Sequence, residues 1–175
     1  MPRVHFVKKA RKDNPVAKKG ESYYWWKFRY GGKRYSTEPP KASQLTQSAY
    51  YASLYDLQDE IADYDCAAYE DFECFVEEIK STLSDIAEEC QSSLDNMPEQ
   101  LQQAPTGELL QERIDACENA EMEMDVDEFE FDPESFEDYE DITGAEMSER
   151  KDEAFTEWLS EAKDQLSEAV GNCFV

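Results

Sequence analysis

The chain has 175 residues, of which 42 are Asp or Glu and 17 are Lys or Arg, so its formal net charge is −25 at pH 7. At 40% hydrophobic and 13% aromatic it holds too many large apolar residues to stay wholly disordered, and its length suits one small domain plus extended helices better than two full cores. No run approaches the roughly 20 apolar residues of a membrane span, and the start "MPRVHFVKKARK" lacks the apolar stretch of a secretory signal, so a soluble, cytoplasmic protein is expected.

The charge is divided along the chain. Residues 1–43 hold 12 of the 17 Lys and Arg with only Asp13, Glu21 and Glu38 as acids, a net of +9, which leaves −34 for residues 44–175. Within the basic part, "SYYWWKFRYGGKRYST" at 22–37 puts seven aromatic rings beside four cations. Gly31-Gly32 between strand-favouring runs predicts a β-hairpin with a two-residue turn of positive φ, and "RVHFV" at 3–7 supplies a third strand that a marginal ribbon needs. That turn would set Tyr30 against Lys33, Phe28 against Tyr35 and Trp26 against Thr37. One face would then carry Tyr24, Trp26, Phe28, Tyr30 and Tyr35 as core, and the other Tyr23, Trp25, Lys27, Arg29 and Arg34 as a contact surface. "KKARKDNPVAKKG" reads as a cationic loop.

Pro39-Pro40 ends the sheet, and the segment 44–124 reads as a long helix folded against a shorter antiparallel one. Apolar residues recur three or four apart at Leu54, Leu57, Ile61, Tyr64, Ala68, Phe72, Phe75, Ile79, Leu83, Ile86, Cys90 and Leu94. They mark one amphipathic seam, with a break expected near Asp63 to Ala68, where the spacing is least distinctive. Asn96 and Pro98 suit the start of a short helical turn that Pro105 and Gly107 would close, after which Leu110, Ile114 and Cys117 repeat the pattern.

Residues 118–141 hold 13 acids and no base, interleaved with Phe129, Phe131, Phe136 and Tyr139. Residues 125–142 therefore read as an acidic linker. "TGAE" at 143–146 reads as a capping box that opens an amphipathic helix over 143–175, lined by Met147, Phe155, Trp158, Leu159, Ala162, Leu166 and Val170 and stopped at Gly171. The fold class expected is α+β, mostly α: a small antiparallel sheet, a long acidic helical hairpin and a C-terminal amphipathic helix.

Catalysis finds little support. His5 is the single histidine, it falls in a strand, and no hydrolase, nucleotide or metalloprotease motif is present. Glu130 stands at the sixth position counted from Asp125, where a calcium loop uses Gly, so neither a metal nor a cofactor is expected. Cys66, Cys74, Cys90, Cys117 and Cys173 are odd in number and form no CxxC, which suits free thiols.

The basic hairpin carries the functional expectation. Lys and Arg neutralise phosphates while exposed rings stack on bases, which makes Lys18, Lys19, Tyr23, Trp25, Lys27, Arg29, Lys33 and Arg34 the candidate nucleic-acid-binding residues. The stretch "YWWKFRYGGKRYS" resembles the three-stranded arm-type DNA-binding domain at the N-terminus of phage integrases, over residues 20 to 50 only. The catalytic domain of those enzymes has no counterpart here, so recombination is not implied. The whole chain also resembles small acidic proteins of phages and prophages, which implies the cytoplasm of a bacterial host as its setting.

Two functions follow from the charge split. In the first, a basic module anchors the protein to nucleic acid or a nucleoprotein while the acidic part engages a host protein through Glu121, Asp125, Asp127, Glu128, Phe129 and Phe131. In the second, the acidic helices imitate DNA and inhibit a nucleic-acid-binding or defence protein. Three helices as acidic as residues 44–93, with 13 acids, would present about one charge per 2 Å against about 1.7 Å in duplex DNA.

Overall fold

In the computed structural model, which describes residues 1–133 and 143–175, strand β2 (Tyr23–Lys27) lies between β1 (His5–Val7) and β3 (Lys33–Ser36) in an antiparallel sheet of order β1-β2-β3. Five α-helices follow among the described residues, so the fold is α+β and mostly α. They are α1 (Ala49–Asp63), α2 (Tyr69–Asp95), α3 (Glu99–Gln102), α4 (Pro105–Glu123) and α5 (Gly144–Gly171). The chain divides into two compact units, Met1–Asp56 and Leu57–Val175, with the boundary inside α1.

In the first unit the hairpin register differs from the one expected. Tyr24 pairs with Ser36, Trp25 with Tyr35, Trp26 with Arg34 and Lys27 with Lys33, three residues away from the predicted alignment. The connection is therefore the five residues 28–32, and neither Gly31 nor Gly32 takes a positive φ. Because side chains alternate between faces, an odd shift exchanges the faces of β3: Lys33 and Tyr35 join Trp25, while Arg34 joins Trp26. The reason is packing at the start of the loop. Phe28 is buried and a Cβ on Gly31 would already touch Phe28 Cβ at 3.4 Å, so the chain closes over Phe28 before it turns. Tyr30, assigned above to the core, is instead 83% exposed.

Trp26 is buried, and its Nε1–H donates to the Gln44 carbonyl at 3.2 Å, tying the sheet to the 3-10 turn Ser43–Leu45. This unit accordingly extends past residue 43 and includes buried Tyr50 and Leu54 at the start of α1. The β1–β2 loop is knitted by its own backbone. Ala10 N–H donates to Glu21 O at 2.7 Å, Gly20 N–H to Ala10 O at 2.9 Å and Asn14 N–H to Ala17 O at 2.9 Å, and Gly20 takes a left-handed conformation with φ 101°.

In the second unit the heptad-like seam becomes core. Leu57, Ile61, Phe72, Phe75, Ile79, Leu83, Ile86 and Cys90 are buried, while Tyr64, Ala68 and Leu94 are half-buried. The helix breaks over residues 64–68, where Tyr64 turns back, stacks on Phe75 at 3.7 Å and donates its hydroxyl to the Asp71 carbonyl at 2.8 Å. α2 packs on α4, and with only residues 96–104 between them the two run antiparallel. Ile114 and Cys117 are buried in that contact and Leu110 is half-buried. Pro105 opens α4 rather than closing α3, since its missing N–H is harmless at N1. Gly107 lies in the first turn of α4, where a Cβ would collide with the Gln102 carbonyl.

Thr143 and Glu146 form the expected capping box, and α5 runs to Gly171. Leu159, Ala162, Leu166, Ala169 and Val170 are buried along it, and Cys173 of the closing "NCFV" is fully buried. No helix of the described residues is long and apolar enough to cross a membrane. The linker 125–142 is described only as far as Pro133, so Phe136 and Tyr139 lie outside the described residues.

Candidate nucleic-acid interface

All twelve Lys and Arg of residues 1–43 are exposed. The acids that accompany them do not neutralise the nearest of them. Asp13 Oδ1 accepts the backbone N–H of Lys19 at 2.7 Å, and Glu21 Oε2 accepts the backbone N–H of Lys18 at 2.7 Å. Each carboxylate thus holds the loop in shape, and Lys18 and Lys19 are exposed. Among the described residues none of Lys18, Lys19, Lys27, Arg29, Lys33 and Arg34 makes an ion pair. The loop is thus fixed by carboxylate-to-backbone bonds, and its Lys and Arg side chains are exposed.

The sheet sorts the rings differently from the sequence expectation. His5 of β1 stacks on Trp25 with centroids 4.3 Å apart and planes 9° apart, and Lys33 Nζ of β3 lies 4.5 Å from the Trp25 centroid. As β1 and β3 flank β2 on opposite sides, Trp25 is held between the two. Tyr23 faces Tyr35 at 6.1 Å, and Tyr24 faces Phe6 at 4.9 Å. Lys27 and Lys33 stand directly opposite each other at the end of the ladder nearest the loop. Beyond them Arg29 and Tyr30 project, with the guanidinium carbon 5.2 Å from the ring centroid. Arg34 reaches over buried Phe28 at 5.8 Å.

The candidates for a protein partner divide into two kinds. Asp125, Asp127 and Glu128 are exposed, and Glu121 is half-buried at the end of α4. Phe129 serves the chain's own packing: it meets Phe155 at 5.1 Å and Trp158 at 5.7 Å, and the Trp158 Nε1–H donates to the Asp127 carbonyl at 3.2 Å. Phe131 is half-buried and also engaged. Phe129 and the Asp127 carbonyl therefore pin this segment onto α5, while Asp125, Asp127 and Glu128 stay exposed. A second acidic feature, invisible in the sequence, is a shallow groove along α4 and the C-terminus lined by Glu108, Glu112, Asp115, Asn119, Glu123 and Val175.

The five cysteines are free thiols. Cys90, Cys117 and Cys173 are buried, and the Cys173 thiol is pushed far up by its hydrogen bond with Cys117 and by burial, which keeps it protonated and unreactive. Among the described residues no three His, Cys, Asp or Glu side chains gather to hold a metal ion.

Sequence reasoning passed over the exposure of Tyr30 and the stacking of His5 on Trp25. The dipeptide Gly31-Gly32 drew the turn onto itself, which placed Tyr30 on a strand and inside the core. Set against protein-family models, curated proteins and solved structures, the chain matches none.

Proposed function

We propose that this chain is a non-enzymatic binding protein of phage type, in which the basic sheet module anchors to nucleic acid or a nucleoprotein and the acidic helical unit engages a host protein. The observation that carries the reading is that Lys18, Lys19, Lys27, Arg29, Lys33 and Arg34 are exposed and, among the described residues, make no ion pair, while the Asp13 and Glu21 carboxylates are used on the backbone. Such charges release condensed counterions when they meet phosphates, so binding falls steeply with salt, by about 0.7 in log–log slope per contact on single strands and about 0.9 on duplex. The exposed carboxylates of Asp125, Asp127 and Glu128 and the acidic α4 groove offer the complementary sign to a basic protein.

The test is a salt titration of the full-length chain against labelled nucleic acid, repeated with Arg29→Ala/Arg34→Ala. The double variant is expected to flatten the slope by about 1.5. Failure of the native chain to bind at about 50 mM salt overturns the anchoring role. Capture of partners from a bacterial lysate, with and without nuclease, then separates a direct protein partner from one bridged by nucleic acid.

One observation favours the second reading, mimicry of DNA. Helix α2 spans about 40 Å and exposes Glu70, Asp71, Glu73, Glu77, Glu78, Asp85, Glu88 and Glu89, with Lys80 as its one base. If this face is the functional one, the chain will displace DNA from the basic protein it captures, and the variant lacking Arg29 and Arg34 will displace it equally well.

A further inference from the structure

Trp25 is the ring that the sequence offers for stacking on a base, and both its faces are taken, by His5 and by Lys33. Tyr30 presents the opposite case. It is 83% exposed at the tip of the β2–β3 loop, and Arg29 leans on it from 5.2 Å. A guanidinium covers one face of a ring and leaves the other open to solvent. An exposed ring with one open face is a platform on which another π-system can stack.

The tip is held in place rather than dangling. Phe28 is 8% exposed and anchors the loop from below, and Gly31 packs against it with Gln47 Nε2 beside it, 3.5 Å from where a Cβ would stand. Gly31 N–H donates to the Phe28 carbonyl at 3.4 Å, which closes the turn. At the base of the tip, Lys27 and Lys33 are direct cross-strand partners. Like charges in that position repel, so the pair is best satisfied when an anion approaches them.

We propose that Tyr30 is the base-stacking residue of the module, with Arg29 on the inner face of its ring and Lys27 and Lys33 receiving the phosphates on either side, and that its ligand is single-stranded nucleic acid. This rests on the nucleic-acid reading above. The open ring face accepts any base, because every base has a π-face, while a duplex keeps its bases stacked on each other. Neither Tyr30 nor Arg29 in this arrangement reads the ribose 2′-OH, so DNA and RNA strands are bound alike.

The experiment uses the full-length chain and fluorescence anisotropy with an oligothymidylate, an oligouridylate and a duplex DNA, each of about 12 nucleotides or base pairs, across a salt series. Tyr30→Ala is expected to weaken binding to both single strands about tenfold with the salt slope unchanged, and Tyr30→Phe to retain it. Arg29→Ala is expected to weaken binding and to lower the slope by about 0.7, and Trp25→Phe to change affinity less than about twofold. Tyr30 is on the surface, so loss of fold does not confuse the result, and circular dichroism of each variant checks this. If the chain binds single strands and Tyr30→Ala binds as tightly as the native protein, the stacking role is overturned while the anchoring role stands. Duplex bound in preference to single strands, with no effect of Tyr30→Ala, has the same meaning. If none of the three probes binds at about 50 mM salt, both readings fall together.

Discussion

Lys163 reaches across the helical unit to the end of α1, where its Nζ donates to the Ala62 carbonyl at 2.8 Å and the Tyr64 carbonyl at 2.6 Å. The last carbonyls of a helix have no partner within it, and a cation there also complements the helix dipole by about 0.3–1 kcal/mol. Hydrogen bonds from a charged donor contribute about 1.5–3 kcal/mol each when well buried, but Lys163 is only half-buried and water replaces part of that. Lys163→Met keeps the apolar stem and removes the charge, and should destabilise the unit by about 1–3 kcal/mol. Lys80→Met is the matched control. Lys80 pairs with Glu77 at 3.3 Å, yet the Glu77 side chain is 69% exposed and the pair lies one turn apart on a helix, a geometry that contributes about 0.2–0.5 kcal/mol. Both variants take one positive charge from a chain of net charge −25, so the general increase in repulsion is common to both and their difference isolates the cap. Urea unfolding followed by far-UV circular dichroism measures that difference, and hydrogen exchange at residues 60–63 should accelerate only in Lys163→Met. Equal destabilisation of the two variants, within about 0.5 kcal/mol, would refute the argument that satisfying helix-end carbonyls outweighs a surface ion pair.

Ile79 is 1% exposed in the α2 seam, so Ile79→Ala should cost about 2–5 kcal/mol in the same urea assay, and a loss below about 0.5 kcal/mol would show that the seam is not core. Thiol labelling of the native chain near neutral pH, read by mass spectrometry, should modify exposed Cys74 first and half-buried Cys66 more slowly, because burial pushes the Cys66 thiol up; Cys90, Cys117 and Cys173 should react only on unfolding. The folded state also holds the Cys173 proton, through Cys117 and burial, and the Cys90 proton, through burial, beyond the point near 9.0 where the unfolded chain releases them. The native state therefore binds more protons there, so this contribution is intact below pH 9.0 and declines as pH rises above it; an alkaline decline that is just as steep in Cys173→Ala would contradict the assignment.

Periodicity was enough to find α2, α4 and α5, because an amphipathic stripe is a local property: Phe72, Ile79 and Leu83 recur at the helical interval whatever they pack against. The capping box at Thr143 was equally legible, since its two hydrogen bonds span three residues. The break at residues 64–68 was visible as weakened spacing, but its cause, Tyr64 folding back onto Phe75 and Asp71, joins residues that no pattern pairs. The composition located the cations and rings of the basic module for the same local reason. Their faces depended on register, and the ladder ends at Lys27–Lys33 with Phe28 in the connection and Gly31 packed on it, rather than at Gly31-Gly32. A slip of three residues moved Lys33 onto Trp25, moved Arg34 away and turned Tyr30 outward. Charge along a chain is thus fixed by sequence alone, whereas which ring stays open beside it is settled only when neighbouring strands place their side chains on its two faces.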